Sequence, residues 1–244
     1  MNNTYTNSGS ANSFGVGGGT GVVLSYAEYA GQSTSCLVSI NFWSGEGADR
    51  TELSNTDQDT LVTTVASSCN NTIVIVNISG PRVLEAWIKN ENVTAVIYSG
   101  LLGQEFGNAI TDVLCGDVNP SGKLIHTIAK NASDYPASVC ETSECTFAEG
   151  VYIDYRWFDK EEIEPRFPFG HGLSYTTFSY GAVEATITNS TALSSKYPTR
   201  SLGLGGITDL FDEVITVNTT ITNSGSVTGQ EVAQLYVSFP DEAE

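Results

Sequence analysis

A short, continuously apolar run, CLVSINFW, is followed by a segment with apolar residues at helical spacing, and this pairing recurs along the first half of the chain. After the run at 36–43, TDQDTLVTTVASSC places Leu61, Val62, Val65, Ala66 and Cys69 on one helical face, with Thr56 and Asp59 as the expected cap. NTIVIVNIS then reads as a second buried strand, and PRVLEAWIKN as a helix opened by Pro81, with Val83, Leu84, Trp87 and Ile88 on one side. VTAVIYSG is a third strand. GQEFGNAITDVLCG is a helix stopped by Gly116, and KLIHTIAK is a fourth strand. Strands with apolar residues on both sides, alternating with helices, predict an α/β fold: a mostly parallel sheet with helices on both faces.

From about Gly170 the texture changes. LSYTTFSYGAVEATIT, EVITVNTTITN and EVAQLYVSF alternate apolar residues with Thr and Ser at period two, joined by Gly, Ser and Asn. This predicts the beginning of an antiparallel β-sandwich. Such a sandwich needs about seven strands, and roughly three are legible, so the expectation is a truncated one.

Charge narrows the function classes. Asp and Glu total 28 against 10 Lys and Arg, a net charge of -18, which repels phosphate backbones and anionic lipid heads. Nucleic acid is excluded as an expected partner, and no apolar run is long enough to span a membrane. Asn-x-Ser/Thr occurs at Asn2, Asn70, Asn77, Asn92, Asn131, Asn189 and Asn218. That density predicts a secreted, extracellular glycoprotein. The opening MNNTYTNSGSAN has neither the basic start nor the apolar stretch of a signal peptide, so the expectation is that the true N-terminus lies upstream. In a secreted chain, Cys140 and Cys145 are close enough to close a small loop. Cys36 reaches Cys69 if a strand and the following helix pack together, and Cys115 is left over. Five reduced thiols are the alternative. No Cys or His spacing suggests a metal.

The candidate for chemistry is INFWSGEGADR, in which Glu46 stands between two glycines a few residues after the first clear strand. In open α/β sheets ligands bind beyond the carboxyl ends of the strands. Gly45 and Gly47 permit positive φ and close approach of a substrate, and a carboxylate there can exchange a proton. An acidic turn residue is the plain alternative for an isolated Gly-Glu-Gly.

The whole set carries more. SGEGADRTEL, NTIVIVNISGPRVLEAWI, NVTAVIYSGLLGQEFGNAITDVLCGDVNPSGKL, EGVYIDYRWFDKEEIEPRFPFGHGLSYTTFSY and NSGSVTGQEVAQLYVS resemble, in this order, the C-terminal half of secreted fungal β-glucosidases of glycoside hydrolase family 3. The resemblance covers roughly residues 35 to 240. It implies a remnant of the inter-domain linker over 1–34, an α/β sandwich with its connecting segment over 35–169, and an incomplete fibronectin type III-like domain over 170–244. In that family a (β/α)8 barrel carries the nucleophilic aspartate and most sugar-binding residues. The glutamate of the SGEG motif is the general acid/base, so Glu46 inherits that role by motif. Ser44 is implied as a substrate-binding residue, and Asp49 and Arg50 as support for the loop.

Retaining hydrolysis needs two carboxyl groups about 5 to 5.5 Å apart across the anomeric carbon. Two domains meeting over the sugar can supply one each. The implied activity is removal of terminal non-reducing β-D-glucosyl residues, in breakdown of cellobiose and other oligosaccharides, without metal or cofactor. Nothing in 1–34 resembles the aspartate-bearing strand end of the barrel, so the chain alone is expected to be inactive. Ala48 replaces an aromatic found in many relatives, which leaves a β-xyloside as an alternative substrate.

A sugar-binding module without hydrolysis is the rival class, with Trp43, Trp87 and Trp157 as stacking candidates; of these Trp87 reads as core. GVGGGTG at 15–21 is a weak nucleotide-loop signal with neither a preceding buried strand nor a P-loop lysine. His126 reads as a core residue inside a strand, and His171 as part of the turn into the sandwich. Glu105 at a helix start suits the helix dipole better than it suits sugar contact, and Gln104 is read with it.

Overall fold

A computed structural model describes residues 26–42, 45–47, 52–138, 140, 142–190 and 200–238. The chain divides into two compact units, one of Met1–Val118, Gly122–Leu173 and Gln234–Glu244, the other of Asn119–Ser121 and Ser174–Ala233.

The first unit is built on three parallel strands in the order β1 (Cys36–Asn41), β2 (Thr72–Asn77) and β3 (Val93–Tyr98). β1 pairs with β2 from Cys36 opposite Thr72 to Asn41 opposite Asn77. β2 pairs with β3 after a register shift between Thr72 and Ile73. A short helix, α1 (Tyr26–Gly31), precedes β1, and α2 (Thr56–Ala66) crosses from β1 to β2. The core lies where Cys36, Val38, Ile40, Val74 and Val76 meet Val62, Val65 and Cys69 of the crossover and Leu84 and Trp87 beyond β2. A Cys36–Cys69 disulfide joins the start of β1 to the residue region just after α2. The helix α3 (Phe106–Cys115) follows β3 and ends at Gly116, whose φ of 81° is the left-handed cap conformation that glycine adopts without a Cβ penalty.

Three expectations for this unit are corrected. The cap of α2 is Asn55, whose side chain accepts from the Gln58 N–H, and not Thr56 with Asp59. Asp59 instead accepts from Arg82 Nη2 at 2.8 Å and from Trp87 Nε1 at 3.0 Å. The segment 81–90 is a run of turns and not a helix. Its first residues are spent elsewhere: Pro81 has no N–H, Val83 donates to Leu53 O, and the Arg82 guanidinium is buried against Asp59. One i→i−4 bond runs there, from Ile88 N to Leu84 O, beside i→i−3 turns from Trp87 N to Leu84 O and Asn90 N to Trp87 O. KLIHTIAK is not a strand either. The Thr127 N–H is taken by the Asp154 carboxylate and the Ala129 N–H by the Tyr135 hydroxyl. Ile128 forms only an isolated bridge with Phe167. With the Thr127 and Ala129 donors taken by side chains, that edge of the segment has neither of them left for a ladder, and three strands, not four, make the parallel sheet among the described residues.

The helix α4 (Tyr155–Lys160) is not signalled by the sequence; Asp154 before it sits at φ 53°, and Phe158 is its buried residue. A second disulfide closes Cys140 to Cys145, and Cys115 is exposed and free.

The second unit has two antiparallel pairs: β4 (Phe178–Tyr180) with β7 (Ile221–Asn223), and β5 (Glu184–Ile187) with β6 (Ile215–Asn218). EVAQLYVSF, expected as a strand, forms none over its described residues 231–238. Alternation marks an extended chain with two faces but does not supply a hydrogen-bonding neighbour.

Candidate active site

β1 ends at Asn41, and the chain then leaves the carboxyl edge of the sheet through the stretch that carries Glu46. Glu46 is exposed, in a turn, and Gly47 after it has φ 73° with open space where a Cβ would stand. The positive φ explains the second glycine of the motif, since a side chain there would be strained. Ser44, Asp49 and Arg50 lie outside the described residues, as do Trp43, Asn2 and the glycine-rich 15–21.

Both feet of this stretch are tied to the first turn of α2. Gln58, 5% exposed, donates from Nε2 to the carbonyl of Asn41. Its backbone N–H donates to Asn55 Oδ1 at 3.1 Å, and Asn55 Nδ2 in turn donates to Glu52 Oε1 at 2.9 Å. The carbonyl of Leu53 accepts from Val83 N–H at 2.8 Å, which fixes the outgoing foot to the segment after β2. Sequence reasoning overlooked Gln58. The signal was available as the Asn-x-x-Gln spacing of 55 and 58, a capping-box pattern one residue earlier than the one assigned.

The other strand ends at this edge are polar. Asn77 closes β2 with its Oδ1 enclosed, and Ser99 after β3 donates from N and Oγ to Val76 O at 3.0 and 3.2 Å. Gly100 beyond it has φ 64°. Glu105 is bound to its own helix start, accepting from Asn108 Nδ2 at 2.8 Å and Gln104 Nε2 at 3.3 Å. The two histidines pack on rings. His126 meets Tyr98 edge-on at 5.6 Å, in an irregular segment and not a strand, and His171 stacks on Phe167 at 4.9 Å. Burial, and then the nearby Lys123 charge, push the His171 imidazole below its ordinary value. Of the described tryptophans, Trp87 is core, and Trp157 is half-buried with Nε1 donating to Asp134 O at 3.1 Å. No group of three or more potential metal ligands occurs among the described residues.

The sequons differ in surroundings. Asn70, Asn131 and Asn218 are exposed, while Asn77, Asn92 and Asn189 are half-buried. Asn92 Nδ2 donates to Ala66 O at 2.8 Å.

A three-stranded parallel sheet, the crossover helix α2 and a glycine-flanked carboxylate beyond the carboxyl end of β1 define an α/β domain, and in open sheets of this class ligands bind at the strand ends. The family model described as the Glycosyl hydrolase family 3 C-terminal domain matches residues 23–175. The chain belongs to that family. It is 56% identical to a protein of Aspergillus niger named "Probable beta-glucosidase D", over 100% of this chain and 32% of that protein. Among solved structures, the beta-D-glucoside glucohydrolase of Trichoderma reesei matches with a TM-score of 0.84 at 42% identity, over 90% of this chain and 32% of that one. The β-glucosidase D2-BGL of Chaetomella raphigera matches with 0.77 at 40%, over 84% and 29%. The chain spans about a third of the length of the curated relatives it matches.

Proposed function

We propose that this chain supplies the general acid/base of a retaining β-glucosidase, and that Glu46 is that residue. The observation that carries the reading is the exposed carboxylate between Gly45 and Gly47, beyond the end of β1 in a family 3 C-terminal domain. The names of the relatives support a terminal β-glucoside as the substrate class. In the proposed reaction a barrel aspartate attacks the anomeric carbon while Glu46 protonates the departing oxygen. Glu46 then takes a proton from the water that releases the sugar, so that one carboxyl serves both half-reactions. Ser44 contacts substrate, and Asp49 and Arg50 shape the loop. The second unit is read as part of a fibronectin type III-like sandwich. Secretion and N-glycosylation belong to the same proposal, with the sequons as its support.

The test places this chain in the A. niger relative in exchange for the third it matches. Glu46→Ala should lower kcat/KM on cellobiose by about 10²–10⁴-fold, the usual range for a lost proton-transfer group. Azide should raise turnover of a dinitrophenyl β-glucoside in the variant by attacking the glycosyl-enzyme without base assistance. The 244 residues alone should show no turnover, since none of them matches the barrel nucleophile by motif. Wild-type rates in Glu46→Ala would remove the assignment.

A further inference from the structure

We infer that Gln58 is a positioning residue for the acid/base, closing the base of the stretch that presents Glu46. This rests on the reading of Glu46 above.

The geometry points to one residue because Gln58 receives both ends of that stretch. Its side-chain amide holds the carbonyl of Asn41, the last residue of β1, and its backbone N–H is held by Asn55, the residue before α2. Between these anchors run thirteen residues, 42–54, with Glu46 near the incoming anchor. Tying the feet of a loop to one turn removes much of its freedom to splay, and the position of a carboxyl relative to a leaving oxygen is where small displacements reduce rate steeply.

The second observation is chemical. The Oε1 of Gln58 is buried and has no hydrogen-bond partner among the described residues. An enclosed, unmatched amide oxygen is destabilising, and an apolar side chain of the same length would avoid it. What the glutamine does, and a methionine of similar shape does not, is donate to Asn41 O.

The experiment uses the same exchanged enzyme and compares Gln58→Met with Glu46→Ala on two substrates. Cellobiose has a poor leaving group and needs the proton; a dinitrophenyl β-glucoside leaves without it. For Gln58→Met, kcat/KM on cellobiose should fall by about 10- to 100-fold, and by less than about 3-fold on the dinitrophenyl substrate, the pattern of a misplaced acid. Equal losses on both substrates, or no loss on either, would overturn the inference. If Gln58→Met does not fold, Gln58→Asn, too short to reach Asn41, takes its place; failure of both to fold makes Gln58 a stability element only and also overturns it. Should Glu46→Ala itself lack the leaving-group pattern, it is the assignment of Glu46 that fails. If Glu46→Ala has the pattern and Gln58→Met does not, only the role of Gln58 is lost.

Discussion

Glu85 illustrates how a single carboxyl can tie distant parts of one unit. Arg166, 81 residues away in sequence, donates Nη2 to its Oε2 at 2.9 Å and Nε to its Oε1, and Lys89 adds a contact at 2.9 Å. The Arg166 hydrogen bonds, with help from Lys89 and against some desolvation, lower the carboxyl from 4.5 to about 2. A depressed folded value means stabilisation fully present above the unfolded value and lost as pH falls through the folded one. Stability should thus decline between pH 4.5 and about 2 in part through this group. Glu85→Gln should shallow that decline, measured by urea unfolding at a series of pH values; an unchanged slope would exclude Glu85 as its source. The Arg166 pairing is not legible in the sequence, because separation along the chain says nothing about which Arg will meet which Glu. Glu46 is legible because its context, an apolar run ending in Gly-Glu-Gly, is local. Gln58 lies between these cases: the spacing is local, but its reach to Asn41 depends on how the crossover packs.

At the scale of elements, the segment after β2 shows where periodicity misleads. Val83, Leu84, Trp87 and Ile88 have helical spacing, and Leu84 and Trp87 are buried, yet the backbone makes turns. Apolar spacing reports which residues face the core; it does not report whether the first N–H groups are free to start a helix. The segment is instead held by its side chains, with Trp87 at 1% exposure donating to the same Asp59 that binds Arg82. Trp87→Ala should destabilise the first unit by about 3–5 kcal/mol, the range for deleting a large buried aromatic side chain. Equilibrium denaturation of the purified chain measures it. A loss under about 1 kcal/mol would mean that this segment is not part of the cooperative core. β1, β2 and β3 were the easier elements to read, since apolar runs bounded by turn residues have few other uses. The fourth expected strand had the same appearance, and Asp154 and Tyr135 took its donors. Asp154, 27 residues from Thr127, sits beyond any window that periodicity can see.

Over the whole molecule, the chain passes from the first unit to the second between Leu173 and Ser174, while Asn119–Ser121 already belongs to the second. The sequence does not reveal that the described part of EVAQLYVSF lacks a ladder, because a strand is a relation between two segments. The Cys36–Cys69 bond has a consequence at this scale. It closes a covalent ring, with a sequence separation of 33, around β1, the Glu46 stretch and α2. Arg50 is the one Lys or Arg inside that ring. Tryptic scission after it should leave both pieces migrating together in denaturant and parting only when thiol is added, whereas separation without thiol would show that the ring is open. A broken backbone in the stretch that presents Glu46 would therefore pass unseen on a non-reducing gel, in a molecule still holding both halves of its clasp.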